Sequence, residues 1–192
     1  KPALAARFGT LNKTHTMNSI DIDVIRTALD WQSRGHRVVM GTVVRTWGSA
    51  PRPPGSLMII RDDGQVAGSV SGGCIEDDLI RRVAAGELAL RMPEATTYGQ
   101  TAEEAHRFGL PCGGTLRLVI EPLNLGDWID RVIEVTQTQQ LIGRWLDLTT
   151  GASTLTNARP GQLTEVKEDG CHFVYGPHWR LLIIGANQTA QA

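Results

Sequence analysis

The stretch "GSVSGGCIEDD", Gly68 to Asp78, decides how the chain reads, because a cysteine follows two glycines there and precedes three consecutive acids. From Ile75 onward the apolar positions Ile75, Leu79 and Val83 fall four apart and are joined by Ile80, Ala84 and Leu88, the buried stripe of an amphipathic helix. Cys74 therefore stands at a helix N-terminus. Upstream, Ser56–Ile60 and Gln65–Val70 flank an Asp-Asp-Gly turn and predict a β-hairpin. A hairpin feeding a helix through a glycine-cleared turn predicts a mixed α/β fold.

Backbone N–H groups at a helix N-terminus lack intrahelical partners, and the aligned peptide dipoles make that end locally positive. A thiolate or a phosphate is stabilised there, and Gly72 and Gly73 are expected to leave the donors uncovered. A cysteine so placed commonly has a depressed pKa, which suits a metal ligand, a sulfur carrier or a nucleophile. Glu76, Asp77 and Asp78 act in the opposite sense, because acids in the first turn compete for the same positive end. The plainer alternative is a small buried apolar residue beside a tight turn. A second thiol weighs against it: Cys112 lies beside Gly113 and Gly114, where a loop enters the alternating strand Leu116–Pro122. Two such thiols among three cysteines favour a shared site. Zinc fits poorly, since structural zinc takes about four ligands, usually in paired spacing, and His106 is the lone histidine near Cys112 in sequence. A redox disulfide between Cys74 and Cys112 stays open, subject to Cα atoms within roughly 7 Å.

Elsewhere, Asn18 or Ser19 is expected to cap a helix whose Ile22, Ile25 and Leu29 recur at helical spacing until Gly35. Val38–Val44, "VVMGTVV", reads as a buried strand. Between it and the hairpin, "WGSAPRPPG" is stiffened by its prolines and presents Arg52 from a pre-ordered backbone, either as an anion clamp or as a rigid connector facing solvent. Beyond Leu125 the pattern changes to a helix over Trp128–Val135 and short strands in "LIGRWLDL", "STLT" and "CHFVYG". The last segment, "WRLLIIGANQTAQA", resembles the opening of a dinucleotide-binding fold, but Asn187 replaces the second glycine and Ala192 falls short of the ~30 residues of a βαβ unit. The expected organisation is an extension or tag over 1–16, an α/β domain over 17–125, a β-rich connecting subdomain over 126–179, and the first strand of a truncated Rossmann-like domain over 180–192.

The 192 residues carry 19 Lys and Arg against 20 Asp and Glu, a formal charge of −1. No broad positive field exists to gather nucleic acid or an acidic membrane, so any bound anion must be held locally. Scarce cysteine and the lack of a run of about 18 apolar residues point to a cytoplasmic protein with free thiols.

Taken together, "TVVRTWGSAPRPPGSLMII", "GSVSGGCIED", "GLPCGGTLRLVIEP" and "RLLIIGA" resemble the XdhC/CoxI family, accessory proteins that mature xanthine-dehydrogenase-type molybdoenzymes. The resemblance implies an XdhC-type domain that binds the molybdenum cofactor (molybdopterin, or its cytosine dinucleotide form). It further implies that the cofactor is held while a cysteine desulfurase supplies the terminal sulfur, and is then inserted into a xanthine dehydrogenase or aldehyde oxidase-type enzyme. Under that reading Cys74 and Cys112 face the molybdenum, and Ser71, Gly72, Gly73, Gly113 and Gly114 let the cofactor approach the backbone. Arg52 contacts phosphate or pterin, and Glu76 is a proton acceptor or a cap. A homodimer is expected, because the unfinished strand Leu181–Ile184 needs burial. The reading prefers a chaperone without turnover of its own over three alternatives. These are a thiol-dependent redox or sulfur-transfer enzyme, an NAD-binding oxidoreductase, and a pure interaction module.

Overall fold

In the computed structural model residues 20–48, 52–108, 114–123 and 127–177 are described. The expected cap at Asn18 or Ser19, the extension 1–16 and the Rossmann-like segment 180–192 lie outside them. The chain runs α1 (Ile20–Ser33), β1 (Val38–Trp47), β2 (Leu57–Arg61), β3 (Val66–Gly68), α2 (Cys74–Ala84), β4 (Glu94–Tyr98), α3 (Ala102–Arg107) and β5 (Thr115–Pro122). It continues through α4 (Asp127–Gln137), β6 (Ile142–Asp147), β7 (Ser153–Asn157), β8 (Glu165–Val166) and β9 (Gly170–Tyr175). The mixed α/β class expected from the sequence is what forms, with two antiparallel sheets.

The first sheet has the order β3-β2-β1-β5-β4. Its central strand, β1, is buried from Val38 through Val44, and its side chains alternate between two apolar clusters. Val39 and Val43 face α2, where Ile75, Leu79 and Val83 pack in the order the helical period predicts. Val38, Met40 and Val44 face the other way, toward α1, α4 and the second sheet, whose order is β7-β6-β9-β8. Ile22, Ile25, Ala28 and Trp31 supply the buried stripe of α1, and Gly35, at φ +86°, ends that helix in the left-handed region. The second cluster joins residues from both sides of the expected boundary near Leu125, with Val119 and Leu123 packing in the same core as Ile129, Ile142, Phe173 and Tyr175.

A buried ion pair crosses the seam between the sheets. Arg144 on β6 is fully buried and Glu121 on β5 is 4% exposed. Both guanidinium Nη atoms donate to the two Glu121 oxygens, Nη1 at 2.9 Å, while Nε donates to the Tyr175 hydroxyl at 3.2 Å and Nη1 also to Ser153 Oγ at 3.0 Å. The cation lies 4.0 Å from the Trp128 ring centroid and 4.7 Å from that of Phe173. Burial opposes its charge, but the Glu121 carboxylate outweighs that and raises its pKa above the ordinary value.

Three elements were not anticipated: β4, α3 and the two-residue β8. β4, "EATTY", is an edge strand exposed at Glu94 and Ala95, so it carries no apolar alternation to read. The six-residue α3 is too short for a buried stripe. Its capping is legible in retrospect, since Thr101 Oγ1 accepts from Glu104 N at 3.1 Å and Glu104 accepts in turn from Gln100 N at 3.0 Å.

Removing one partner of a buried pair leaves the other charge without compensation. Glu121→Ala is therefore expected to lower the unfolding free energy by about 3–5 kcal/mol, measured by urea denaturation. A loss below about 1 kcal/mol, the size of a surface pair, would show that the two sheets are not held by it.

Candidate functional site

The strand registers fix which loops meet. β3 runs antiparallel to β2, β2 to β1, β1 to β5 and β5 to β4. The C-terminal ends of β1, β3 and β4 and the N-terminal ends of β2 and β5 therefore share one end of the first sheet. Three segments leave or enter there: 48–56 with Arg52, 69–73 leading into Cys74, and 99–114 with Cys112. Arg52 is exposed, in a loop closed by the Gly55 amide donating to the Val43 carbonyl at 2.7 Å. Gly114 is buried directly before β5. Cys112 and Gly113 lie outside the described residues, as does the side chain of Cys74, whose backbone opens α2.

The turn before α2 is organised by one carboxylate. Gly68, at φ +80°, ends β3 so close to β2 that a Cβ would meet the Leu57 carbonyl oxygen at 2.3 Å, which only glycine avoids. The chain then wraps Glu76. Its Oε1 accepts from Ser69 Oγ at 2.8 Å and from the amides of Val70, Ser71 and Gly72 at 3.0, 2.7 and 3.0 Å. Its Oε2 accepts from the Gly73 amide at 2.9 Å and from the Ser71 hydroxyl. The amides expected to stand uncovered at Gly72 and Gly73 thus already hold an anion, the chain's own. This is a backbone nest with a carboxylate in it. Gly72 and Gly73 are required by their positive φ of 87° and 156°, while a Cβ at either would meet nothing within 4 Å. Among the described residues the space above the turn is open.

Burial raises the pKa of Glu76, but the Ser71 hydroxyl and amide, Ser69 and the Gly73 amide outweigh it and hold the carboxyl down at about 2. At neutral pH it is a fixed charge and a poor proton acceptor, so of the two roles expected for Glu76 the geometry favours the cap. The neighbouring acids divide. Asp77 is exposed, whereas Asp78 accepts from the Tyr98 hydroxyl at 2.9 Å and from Arg81 at 3.0 Å, tying α2 to β4. Burial opposes ionisation of Asp78 as well, and the bonds from Arg81 and Tyr98 keep its pKa below the ordinary value. The third cysteine, Cys171, is buried in the inter-sheet core, where desolvation pushes its thiol up to about 12 and makes it unreactive. Among the described residues no three His, Cys, Asp or Glu side chains converge on a metal position. No helix among them is long and apolar enough to cross a membrane.

The same end of the sheet carries Arg45, Trp47 and Arg117, which the sequence reading passed over. Their relation depends on a pairing register that no local pattern encodes.

Because the carboxyl of Glu76 is held below its ordinary 4.5, its contribution to stability is complete above about pH 4.5 and is lost as pH falls toward 2. Glu76→Gln sets an amide donor among donors. It is expected to cost about 3 kcal/mol at neutral pH, with the difference from wild type shrinking between pH 4.5 and 2 in urea melts. A difference that did not change with pH would show that the charge of Glu76 does not organise the turn.

Residues 31–99 match the model of the XdhC and CoxI family, a span that includes Arg52, Ser71, Gly72, Gly73, Cys74 and Glu76. The chain is 29% identical to the molybdenum cofactor insertion chaperone PaoD of Escherichia coli (strain K12), over 88% of its own length and 52% of that protein. It is 40% identical over 47 residues to a probable xanthine dehydrogenase subunit from Bacillus subtilis (strain 168), covering 24% of this chain and 14% of that one. Its fold is similar to the crystal structure of a xanthine dehydrogenase from Bacillus halodurans, with a TM-score of 0.61 at 20% identity over 83% of this chain and 53% of that chain. The chain spans about half the length of PaoD and of the Bacillus halodurans protein. The resemblance to the XdhC/CoxI family drawn from the ordered motifs is borne out by the match of residues 31–99 to the model of that family.

Proposed function

We propose that this chain acts in the maturation of a molybdoenzyme, carrying the molybdenum cofactor as cargo rather than turning it over. The observation that carries the reading is its similarity to a molybdenum cofactor insertion chaperone across 88% of its length. Support also comes from the sheet topology, in which the strand ends bearing the Arg52, Cys74 and Cys112 segments share one end. Molybdenum is thiophilic, and the cofactor bears a phosphate and a polar pterin, so a holder needs soft ligands beside cationic and backbone donors.

In this reading Cys74 and Cys112 face the molybdenum or its exchangeable sulfur. Ser71, Gly72, Gly73, Gly113 and Gly114 give close backbone approach, which the open space above Gly72 and Gly73 permits. Arg52, exposed on its proline-stiffened loop, contacts phosphate or pterin. Glu76 braces the turn from beneath. The same proposal extends to a xanthine dehydrogenase or aldehyde oxidase-type client and to sulfuration by a cysteine desulfurase. It also includes the cytosine dinucleotide form of the cofactor, a homodimeric carrier and a cytoplasmic setting.

The test is the double variant Cys74→Ala, Cys112→Ala, purified from cells that make the cofactor. Molybdenum and pterin recovered with the protein are expected to fall to background, and activation of the client apoenzyme with them. Unchanged retention would overturn the thiol assignment. A persulfide on either cysteine, found by mass spectrometry during incubation with a sulfur donor, would replace the carrier reading with sulfur transfer.

A further inference from the structure

Arg45 and Arg117 are directly opposite one another in the register of β1 and β5. They are brought there by an irregularity. Val43 pairs with Leu118 and Arg45 with Arg117, so Val44 is an extra residue in β1. In an unbroken register Arg45 would face the same side as Val43, toward α2. The bulge turns it to the side of Arg117, that of the second sheet, where the field of Arg117 also reaches the Cys171 thiol. Bulges commonly re-aim a side chain in this way. Thr97 continues the row across β4, and Trp47 and Thr115 form the next row on the same side. The guanidinium of Arg45 lies 4.7 Å from the centroid of the Trp47 ring, and Trp47 is 40% exposed.

Like charges directly opposite in a sheet destabilise it. Among the described side chains neither arginine has an ion-pair partner. The nest before α2 is already filled by Glu76, so an anion arriving at this end of the sheet meets positive charge on the strands, at these two side chains, and on the loop, at the exposed Arg52. Paired guanidinium forks match the oxygens of a phosphate, and an exposed indole offers a face to a flat ring.

We propose that Arg45 and Arg117 bind the phosphate of a phosphorylated flat heterocycle, whose ring stacks on Trp47. Identification of that ester with the molybdenum cofactor rests on the function proposed above. The site itself does not.

Titration calorimetry of the full chain with inorganic pyrophosphate and with adenosine 5′-diphosphate tests it without any cofactor. Wild type is expected to bind both, the nucleotide more tightly, and to weaken as salt rises. Arg45→Gln and Arg117→Gln should each weaken both ligands by about tenfold or more. Trp47→Leu should leave pyrophosphate unchanged and reduce the nucleotide's affinity by about tenfold, to the level of pyrophosphate. The ligand-free melting temperature of Arg117→Gln should equal or exceed that of wild type, because a repulsive pair has been removed. A lowered melting temperature with unchanged anion binding would mark the pair as structural and overturn the proposal, as would the absence of pyrophosphate binding to wild type at millimolar concentration. Equal affinity of wild type for the two ligands would remove Trp47 from the site. Anion binding that survives alongside failure of the cysteine test would leave this site standing and the carrier reading fallen.

Discussion

A single fully buried cation, Arg144, sets the constraint under which the rest of the molecule is arranged. Its guanidinium cannot be left in an apolar core without a counter-charge, and the counter-charge stands on the other sheet, at Glu121 of β5. The aromatic rings of Trp128 and Phe173 close over it, and the hydroxyls of Tyr175 and Ser153 take donors that the carboxylate leaves over. Apolar packing alone would allow the second sheet to slide against the first, whereas a paired fork allows one register. Glu121 lies on the same strand and the same side as Arg117, so the pair that joins the sheets also sets where β5 begins at the far end, next to Gly114.

At that far end the chain has used its most obvious anion-binding device on itself. The amides of residues 70–73 converge as they would on a phosphate, and Glu76 fills them. The consequence is a rigid turn at the base of α2 with Cys74 at its tip and open space above the glycines. Positive charge is supplied separately, by arginines on loop and strand. Such a division suits a carrier, because a preformed turn loses little entropy when cargo arrives, while exposed cations attract an anion and release it as conditions change.

The fold was legible where one physical pattern dominated. The four-residue period of Ile75, Leu79 and Val83, the β-branched run of β1 and the Asp-Asp-Gly turn each gave the observed element, because each segment buries one face against a partner. β4 and α3 were not, since an exposed edge and a six-residue helix bury too little to leave a period. The site was legible as motifs and not as geometry. Glycines beside a cysteine announced a helix N-terminus, but the occupant of its amides is decided by the rotamer of Glu76, three residues into the helix. The Ser/Thr-x-x-Glu spacing of a reciprocal cap was hidden because Gly73 has no side chain with which to complete it. Arg45 and Arg117 are 72 positions apart, and only a one-residue bulge makes them neighbours. Arg144 left a trace that was open to reading, a charge at an inward position of the alternating "LIGRWLDL".

The proposed carrier role comes down to one claim: the loop end of the first sheet receives an anionic, sulfur-seeking cofactor. The most direct measurement is molybdenum and pterin analysis of the protein isolated from cells able to synthesise that cofactor. The account predicts that molybdenum and pterin are recovered together, in proportion to the protein. Protein recovered free of both, from cells whose molybdoenzymes are active, would contradict it.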